Sequence, residues 1–304
     1  MDHSFTQLNK RCIALGFFDG VHLGHAALLN RVKERAAENG LSPAVLTFDM
    51  HPDILVHRED LRLITDCDSR KEILSRCFGI EDVIVIPFDV QMMNTSWEDF
   101  LSRLIGEYEV SHIVVGYDFT FGAKGAGNAE KLLTWCGDHG IGCDVINPVI
   151  IDGVVVSSTL IRELIRKGDM EAAFNFLGHP YCISDTVQPG YQIGRKMAAP
   201  TINMRIPEGT VVPAFGVYAT KAIFPDGSEF DAVTNIGVRP TFGENNEITV
   251  ETHILDFSEN IYGVTVRVDF YSFIRQEEKF SDCLALSEQI KRDAERAREL
   301  LKLK

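Results

Sequence analysis

Short apolar runs alternate along the first half of the chain with stretches in which apolar residues return every three or four positions. The runs at Cys12–Leu15, Ala44–Phe48, Val83–Ile86, Ile113–Val115 and Cys143–Ile146 have the length of buried strands. Between them, Arg70–Cys77, Trp97–Glu107 and Ala129–His139 read as helices, as does the segment after His25, where Ala26, Leu29 and Val32 recur at helical spacing. This alternation predicts an α/β domain, a parallel sheet covered by helices, whose ligands bind at the carboxyl ends of the strands. Around Gly178–Asp185 the pattern changes. Phe215–Phe224, Asp231–Ile236, Ile248–Phe257 and Val264–Phe273 are rich in Val, Ile, Thr, Tyr and Phe and are parted by Gly, Pro, Asp and Asn. A small antiparallel β-barrel is expected there rather than a sandwich, because the strands are few and closure removes exposed edges. From Ser281 a single long helix with a narrow apolar face, including Leu284, Ala285 and Ile290, is expected to pack across the barrel. The domains are drawn at 1–180 and 181–304.

A chain of 304 residues, 45% hydrophobic and 24% charged, is long enough for two such cores. Its most apolar stretch, near Val149–Val156, is broken by Asp152 and Gly153, and MDHSFTQLNKR has no apolar core of a secretory signal. A cytoplasmic location without membrane association is therefore expected. Seven cysteines (Cys12, Cys67, Cys77, Cys136, Cys143, Cys182, Cys283) show no CxxC pair and read as reduced thiols. The formal charge of −14 argues against nucleic acid as a partner, while leaving nucleotide binding open. Oligomeric state has no signature in the sequence.

The densest chemistry lies in GFFDGVHLGH, Gly16 to His25, where a strand turns into a helix. Gly16, Gly20 and Gly24 allow a tight turn and close approach of a ligand. Free amides and the positive end of the dipole at a helix start attract anions, and His22 and His25 can donate to phosphate oxygens. The pair, with Phe18 and Asp19 before it, resembles the HxGH element of the nucleotidyltransferase superfamily, and in its longer form that of bacterial FAD synthetases. GYDFTFGAKGAGN, Gly116 to Asn128, reads as a ligand loop in which Asp118 could orient a ribose or a flavin edge. Phe119 and Phe121 are core plugs or stacking surfaces, the former being favoured, and Lys124 is solvated or near a phosphate. In VSSTLIRELIRK the hydroxyls of Ser157, Ser158 and Thr159 precede a helix bearing Arg162; they normally cap such a helix, and with a first-turn arginine they also form an anion cradle. The segment resembles the SSTxIR element of the same family, with Leu160 where relatives often carry Arg. Ser158, Thr159 and Arg162 are the favoured members.

In the second half, GRKMAAPTINM resembles the riboflavin kinase element ending in PTAN, here Pro200-Thr201-Ile202-Asn203. Thr201 and Asn203, two apart on a strand, face the same way and offer oxygen ligands to magnesium and phosphates. Met197-Ala198-Ala199 stands where relatives usually have a Leu-Gly pair. GVYA at Gly216, NIGVRPTFG at Asn235, VETHILDF at Val250, IYG at Ile261 and RQEEKF at Arg275 follow in the order of riboflavin kinases. The whole chain thus resembles the bacterial bifunctional riboflavin kinase/FAD synthetase family. The resemblance implies a nucleotidyltransferase-like Rossmann domain followed by the barrel. It further implies phosphorylation of riboflavin to FMN by ATP, then adenylyl transfer from ATP to FMN giving FAD and pyrophosphate, with Mg2+ as cofactor. It makes Glu251 the general base of the kinase, and His22 and His25 the catalytic pair of adenylyl transfer. Gly16, Phe18, Asp19, Gly24, Ser158, Thr159, Arg162, Gly194, Lys196, Thr201 and Asn203 would bind ATP or phosphate, and Asp118 and Arg275 flavin or ribose. Two other readings share the fold: an FMN adenylyltransferase with an inactive flavin-binding kinase domain, and a non-catalytic flavin-binding regulatory protein.

Overall fold

The computed structural model describes residues 10–56, 61–188, 201–239 and 247–303, and these fall into two compact units. One runs to Leu61 and resumes over Arg70–Val156; the other comprises Arg62–Ser69 and the chain from Ser157 onward.

The first unit contains β1 (Arg11–Leu15), α1 (Leu23–Asn39), β2 (Ser42–Phe48), α2 (Pro52–Val56), most of α3 (Cys67–Phe78), β3 (Asp82–Ile86), α4 (Val90–Met93), α5 (Trp97–Tyr108), β4 (Val110–Gly116), β5 (Thr120–Phe121), β6 (Gly127–Asn128), α6 (Ala129–His139), β7 (Gly142–Ile146), β8 (Ile150–Ile151) and β9 (Val154–Val155). Its five-stranded sheet runs β3-β2-β1-β4-β7 with every pairing parallel. Central β1 is almost wholly sealed, with Cys12, Ile13, Ala14 and Leu15 at most 1% exposed, which is why it reads as an unbroken apolar run. Each Leu or Ile so buried contributes roughly 1.5–3 kcal/mol. Helix α1 buries Ala26, Leu28, Leu29, Val32 and Ala36, and ends at Gly40 in the left-handed region. Since β2 and β3 lie on one side of β1 and β4 and β7 on the other, strand order reverses at the carboxyl end of β1, where open parallel sheets form their ligand crevice. The turn Gly16–His25 leaves from that point. The predicted strands and the helices α3, α5 and α6 are present within a few residues of their expected bounds. Short elements such as α2, α4 and the two hairpins carry no periodicity long enough to announce them.

The second unit contains α7 (Ser158–Lys167), α8 (Met170–Leu177), β10 (Tyr181–Thr186), β11 (Thr201–Met204), β12 (Gly216–Ile223), β13 (Glu229–Arg239), β14 (Glu247–Ile254), β15 (Thr265–Arg275) and α9 (Cys283–Leu301). Six antiparallel strands follow the order β10-β15-β12-β13-β14-β11. An antiparallel bridge from Gln188 to Asn203 draws the two outer strands toward each other, so the sheet curls into the expected barrel. Buried hydroxyls of Thr220, Thr234 and Thr252 link β12, β13 and β14 at 2.8 and 2.9 Å. Ser272 on β15 donates to Glu171 at 2.8 Å, fastening α8 to the sheet.

Helix α9 starts at Asp282, whose carboxylate accepts from Leu284 and Ala285 N–H, and packs on the barrel through Ala297 and Leu301 against Ala219, Val233 and Tyr271. One expectation is corrected here. The buried stripe is Asp293, Ala294, Ala297 and Leu301, in the second half of the helix, whereas Leu284 is 71% exposed. A buried aspartate does not register as part of an apolar face, so the stripe is invisible to a hydrophobic pattern.

Candidate functional site

The turn after β1 holds its shape at some cost. Phe18 lies in the left-handed region (φ 60°) with its ring 1% exposed, Gly20 follows at φ 73° and Val21 at φ 41°. A non-glycine residue held there costs about 1–3 kcal/mol and persists because its surroundings over-determine it. A Cβ at Gly16 would fall 3.1 Å from the Phe18 ring, and one at Gly24 would fall 2.9 Å from the His22 ring. The glycines at 16 and 24 therefore make room for rings of this chain, a role the sequence does not reveal beside the expected approach of a ligand.

His22 is the N-cap of α1: its Nδ1 accepts the His25 N–H at 3.3 Å. A nitrogen that accepts carries no proton, so in the neutral ring the proton sits on Nε2, a donor pointing away from the helix backbone. The two imidazoles stack at 3.6 Å between centroids, 13° from parallel, and Phe18 tilts against His25 at 5.0 Å. His25 Nδ1 is buried without a hydrogen-bond partner. Burial first, then the His22 ring and the Arg70 guanidinium, hold the His25 pKa well below the usual imidazole value. The pair thus enters neutral pH with His25 uncharged, a hydrogen-bond donor rather than a cation.

Arg70, which the helical pattern of α3 gave no reason to single out, is 1% exposed under this turn. Its Nη1 donates to the Phe17 carbonyl and Nη2 to the Phe48 carbonyl, each at 2.8 Å, and its guanidinium lies 4.1 Å from the centre of the Phe17 ring. Thr47 donates to the same Phe17 carbonyl at 2.8 Å.

In the loop after β4, Asp118 is exposed and its carboxylate comes close to Gly116, while Lys124 is solvated. Phe121 is a core residue, packed against Phe100, Trp97 and a stacked Phe119. The hydroxyl of Ser157 caps α7 by accepting from Leu160 N–H at 3.3 Å, which leaves Ser158 as the first helical residue. Arg162 is consequently in the second turn, not the first, where the helix dipole no longer opposes it strongly. The side chain is nonetheless buried, 8% exposed, and donates from Nη2 to Thr159 Oγ1 at 3.1 Å. The α7 segment belongs to the second compact unit.

On the barrel, register assembles the second set. Thr201 lies opposite His253 and Asn203 opposite Glu251 across β11 and β14, and Glu251 lies opposite Asn235 of β13. Ile202, Met204, Val250, Thr252 and Ile254, the alternate residues, are buried. Thr201, Asn203, Glu251, His253 and Asn235 therefore share the other face. Asn235 Nδ2 donates to Glu277 at 3.0 Å, and Glu277 reaches in over Gly237, where any Cβ would collide with its carboxylate. Asn235 and Glu277 were not among the expected site residues; a matching spacing on a neighbouring strand and a carboxylate in a charged run were the only traces. Arg275 has partners within the protein itself. Nε and Nη2 grip buried Asp293 of α9 at 3.0 and 2.8 Å, and Nη1 donates to the Gln276 carbonyl at 3.0 Å. Its guanidinium thus joins strand to helix. Gly194, Lys196 and Met197-Ala198-Ala199 lie outside the described residues.

The fold and its likeness to known proteins together define an ATP-using enzyme of two parts, an adenylyl-transfer unit and a kinase barrel. The FAD synthetase family model matches residues 4–160 and the riboflavin kinase model residues 177–301. The bifunctional riboflavin kinase/FMN adenylyltransferase of Listeria monocytogenes is 34% identical over 97% of this chain and 93% of its own length. That of Bacillus subtilis is 35% identical over 95% and 92%. A crystal structure described as a macrolide-efflux protein from Streptococcus pneumoniae superposes with a TM-score of 0.84 at 30% identity, covering 95% of this chain and 94% of that one. Efflux is stated of that protein; among the described residues here no helix is long and apolar enough to cross a membrane. The chain belongs to the bifunctional riboflavin kinase/FMN adenylyltransferase family.

Proposed function

We propose that this chain makes FAD from riboflavin in two ATP-dependent steps, with separate sets of residues for each. It is a riboflavin kinase and an FMN adenylyltransferase. Two strands supply the carrying observation for the kinase half, in which Glu251 stands directly opposite Asn203. A carboxylate there takes the proton of the ribityl hydroxyl as its oxygen bonds to the γ-phosphorus of ATP and ADP departs. Thr201 and Asn203 hold the terminal phosphates, and Gly194 and Lys196 are assigned to the same nucleotide. The donors Thr201 Oγ1, the Asn203 amide oxygen and nearby Glu251 are all oxygens, the set a small hard cation such as Mg2+ accepts beside phosphate. When bound, that ion offsets the charge of the phosphates.

In the adenylyltransferase half, an oxygen of the FMN phosphate bonds to the α-phosphorus of ATP while the bond to the pyrophosphate oxygen breaks. No covalent enzyme intermediate is needed, since the attacking phosphate is already an anion; the protein aligns two anions and stabilises charge as it moves. We assign His22 Nε2, His25 and the start of α1, with Gly16, Phe18, Asp19 and Gly24 shaping the turn, to the phosphates of ATP. Ser158, Thr159 and Arg162 are assigned to phosphate binding as well, and Asp118 to ribose or flavin. The functional division we propose is 1–180 and 181–304, in a cytoplasmic enzyme.

Chromatography of the flavins formed from riboflavin, and in parallel from FMN, tests the reading. Glu251→Gln is expected to stop FMN formation while FAD still forms from supplied FMN; loss of both products would overturn the separation of sites.

A further inference from the structure

Among the described residues, three side-chain atoms are buried without a hydrogen-bond partner, and two of them, His25 Nδ1 and Arg70 Nε, belong to the turn after β1 and its support. Arg70 is a cation enclosed beneath a backbone turn whose hydrogen bonds go to carbonyls, an arrangement that costs free energy unless the charge serves the place it occupies. Its two hydrogen bonds go to the carbonyls of Phe17, two residues past the end of β1, and of Phe48, the last residue of adjacent β2. The guanidinium lies over the Phe17 ring, which forms a T-shaped pair with His51 at 4.6 Å between centroids. Phe17 is the residue before left-handed Phe18, so the Arg70 fork holds the chain where the strained turn begins.

We propose that Arg70 is a positioning residue of the adenylyl-transfer site, fixing through the Phe17 and Phe48 carbonyls the turn that carries His22 and His25. The inference rests on the assignment of those histidines to adenylyl transfer. Arg70 touches neither reacting phosphate; it acts through the backbone and through its field. Lys does not replace it, because a single ammonium cannot span two carbonyls as a flat fork nor stack on the ring in the same way.

The groups that set the charge state of His25 are His22, from the capping position, and Arg70, from α3; both oppose an imidazolium, and desolvation opposes it more. His51, edge-on to Phe17, pairs instead with Asp53 at 3.6 Å. Withdrawing the Arg70 charge therefore raises the His25 pKa. If neutral His25 is the working form, FAD formation then fails at a higher pH than in the parent enzyme.

The experiment measures kcat, KM and their pH dependence for FAD formation from FMN in the full-length parent, Arg70→Met, Arg70→Lys and His25→Ala, with riboflavin phosphorylation and Tm followed on each sample. Arg70→Met is expected to lower kcat for FAD formation on the order of tenfold or more and to move the acid limb upward, while riboflavin phosphorylation is retained. Arg70→Lys is expected to restore the acid limb, because the charge returns, but not the full kcat, because the fork does not. Unchanged kcat and acid limb in both variants would overturn the inference, as would a parallel fall of both activities with Tm. Should Arg70→Met not fold, Arg70→Lys decides alone: parental kcat refutes the fork. His25→Ala separates the two levels of the argument. If it leaves FAD formation intact, the assignment of the histidines fails; if it abolishes FAD formation while the Arg70 variants behave as the parent, only the role of Arg70 fails.

Discussion

At Gly16–His25 the chain leaves its strand and bends through three residues of positive φ, whereas Thr201, Asn203, Glu251 and His253 never leave theirs. The first site gets its shape from groups far away in sequence, Thr47 and Arg70 converging on one carbonyl, and from a local fit in which the His22 ring fills the space left by Gly24. The second gets its shape from register alone, because pairing Asn203 with Glu251 automatically pairs Thr201 with His253 and turns all four to one face. A turn of the first kind is tuned by single atoms and fails locally. A sheet of the second kind tolerates its neighbours but fails as a whole if it slips by one residue, since a one-residue slip exchanges its two faces.

The sharpest way to set the halves apart is by their chemistry. Glu251→Gln should reduce riboflavin phosphorylation by about 10²–10⁴-fold, the usual contribution of a general base, and leave adenylylation of FMN in place. His22→Ala should do the reverse, lowering FAD formation by about 10²–10³-fold as a preorganised donor is lost. Because His22 also caps α1, that variant should in addition lose about 1 kcal/mol of stability, read by denaturant unfolding. An asparagine at that position, able to accept from the His25 N–H, should restore the stability and not the rate.

Asp293→Ala probes the barrel from its support. It leaves the Arg275 guanidinium only the exposed Glu278 carboxylate at 3.6 Å, and loss of one partner of a buried pair costs about 3–5 kcal/mol; since Arg275 is partly exposed and keeps Glu278, the lower end is expected. Riboflavin phosphorylation should become heat-sensitive before FAD formation does. Gly24→Ala should be milder for stability yet specific for the turn: with a Cβ 2.9 Å from the His22 ring, the ring must move, and FAD formation should fall while the kinase is spared. Activity assays on one preparation distinguish these outcomes.

The smallest effect is electrostatic and lies in the first unit. Arg35, first, and His112 hold Asp144 down at about 2 from its ordinary 3.8, although desolvation pushes the other way. A carboxylate whose folded pKa is depressed gives stability above its unfolded value and loses it as pH falls through the folded value. Acid unfolding monitored between pH 4 and 2 should therefore be flatter in Asp144→Asn. His25 has its own window. Its lowered pKa means the unfolded chain takes up the proton first, so its contribution is complete above about pH 6.5 and diminishes as pH drops below it.

Much of this was legible in the sequence, for a physical reason. Strands of a covered parallel sheet are continuous apolar runs, and the barrel strands carry their β-branched residues between turn formers, so both leave a local trace. His22, His25, Thr201, Asn203 and Glu251 also stand in local motifs. What escaped were residues whose meaning lies across the fold. Arg70 reaches a carbonyl 53 positions away and, in sequence, is one charged residue of an amphipathic helix. Asp293 sits among the many charges of α9, and nothing near it tells that its partner is 18 positions back. Arg162 was noticed, but its turn of the helix was misjudged: Ser158 and Thr159, read as preceding the helix, are its first two residues, which carries Arg162 into the second turn.

The clasp between Asp293 and Arg275 also orders events in time. Synthesis delivers the turn Gly16–His25 and the strands that support it first, then the barrel strands, and only afterwards the helix that brings Asp293. Until that helix docks, Arg275 of β15 lacks the buried carboxylate of Asp293 and the barrel lacks the cover of Ala297 and Leu301. The half that uses FMN thus has its structural parts before the half that makes it. On a growing chain, the second enzyme of the sequence comes of age before the first.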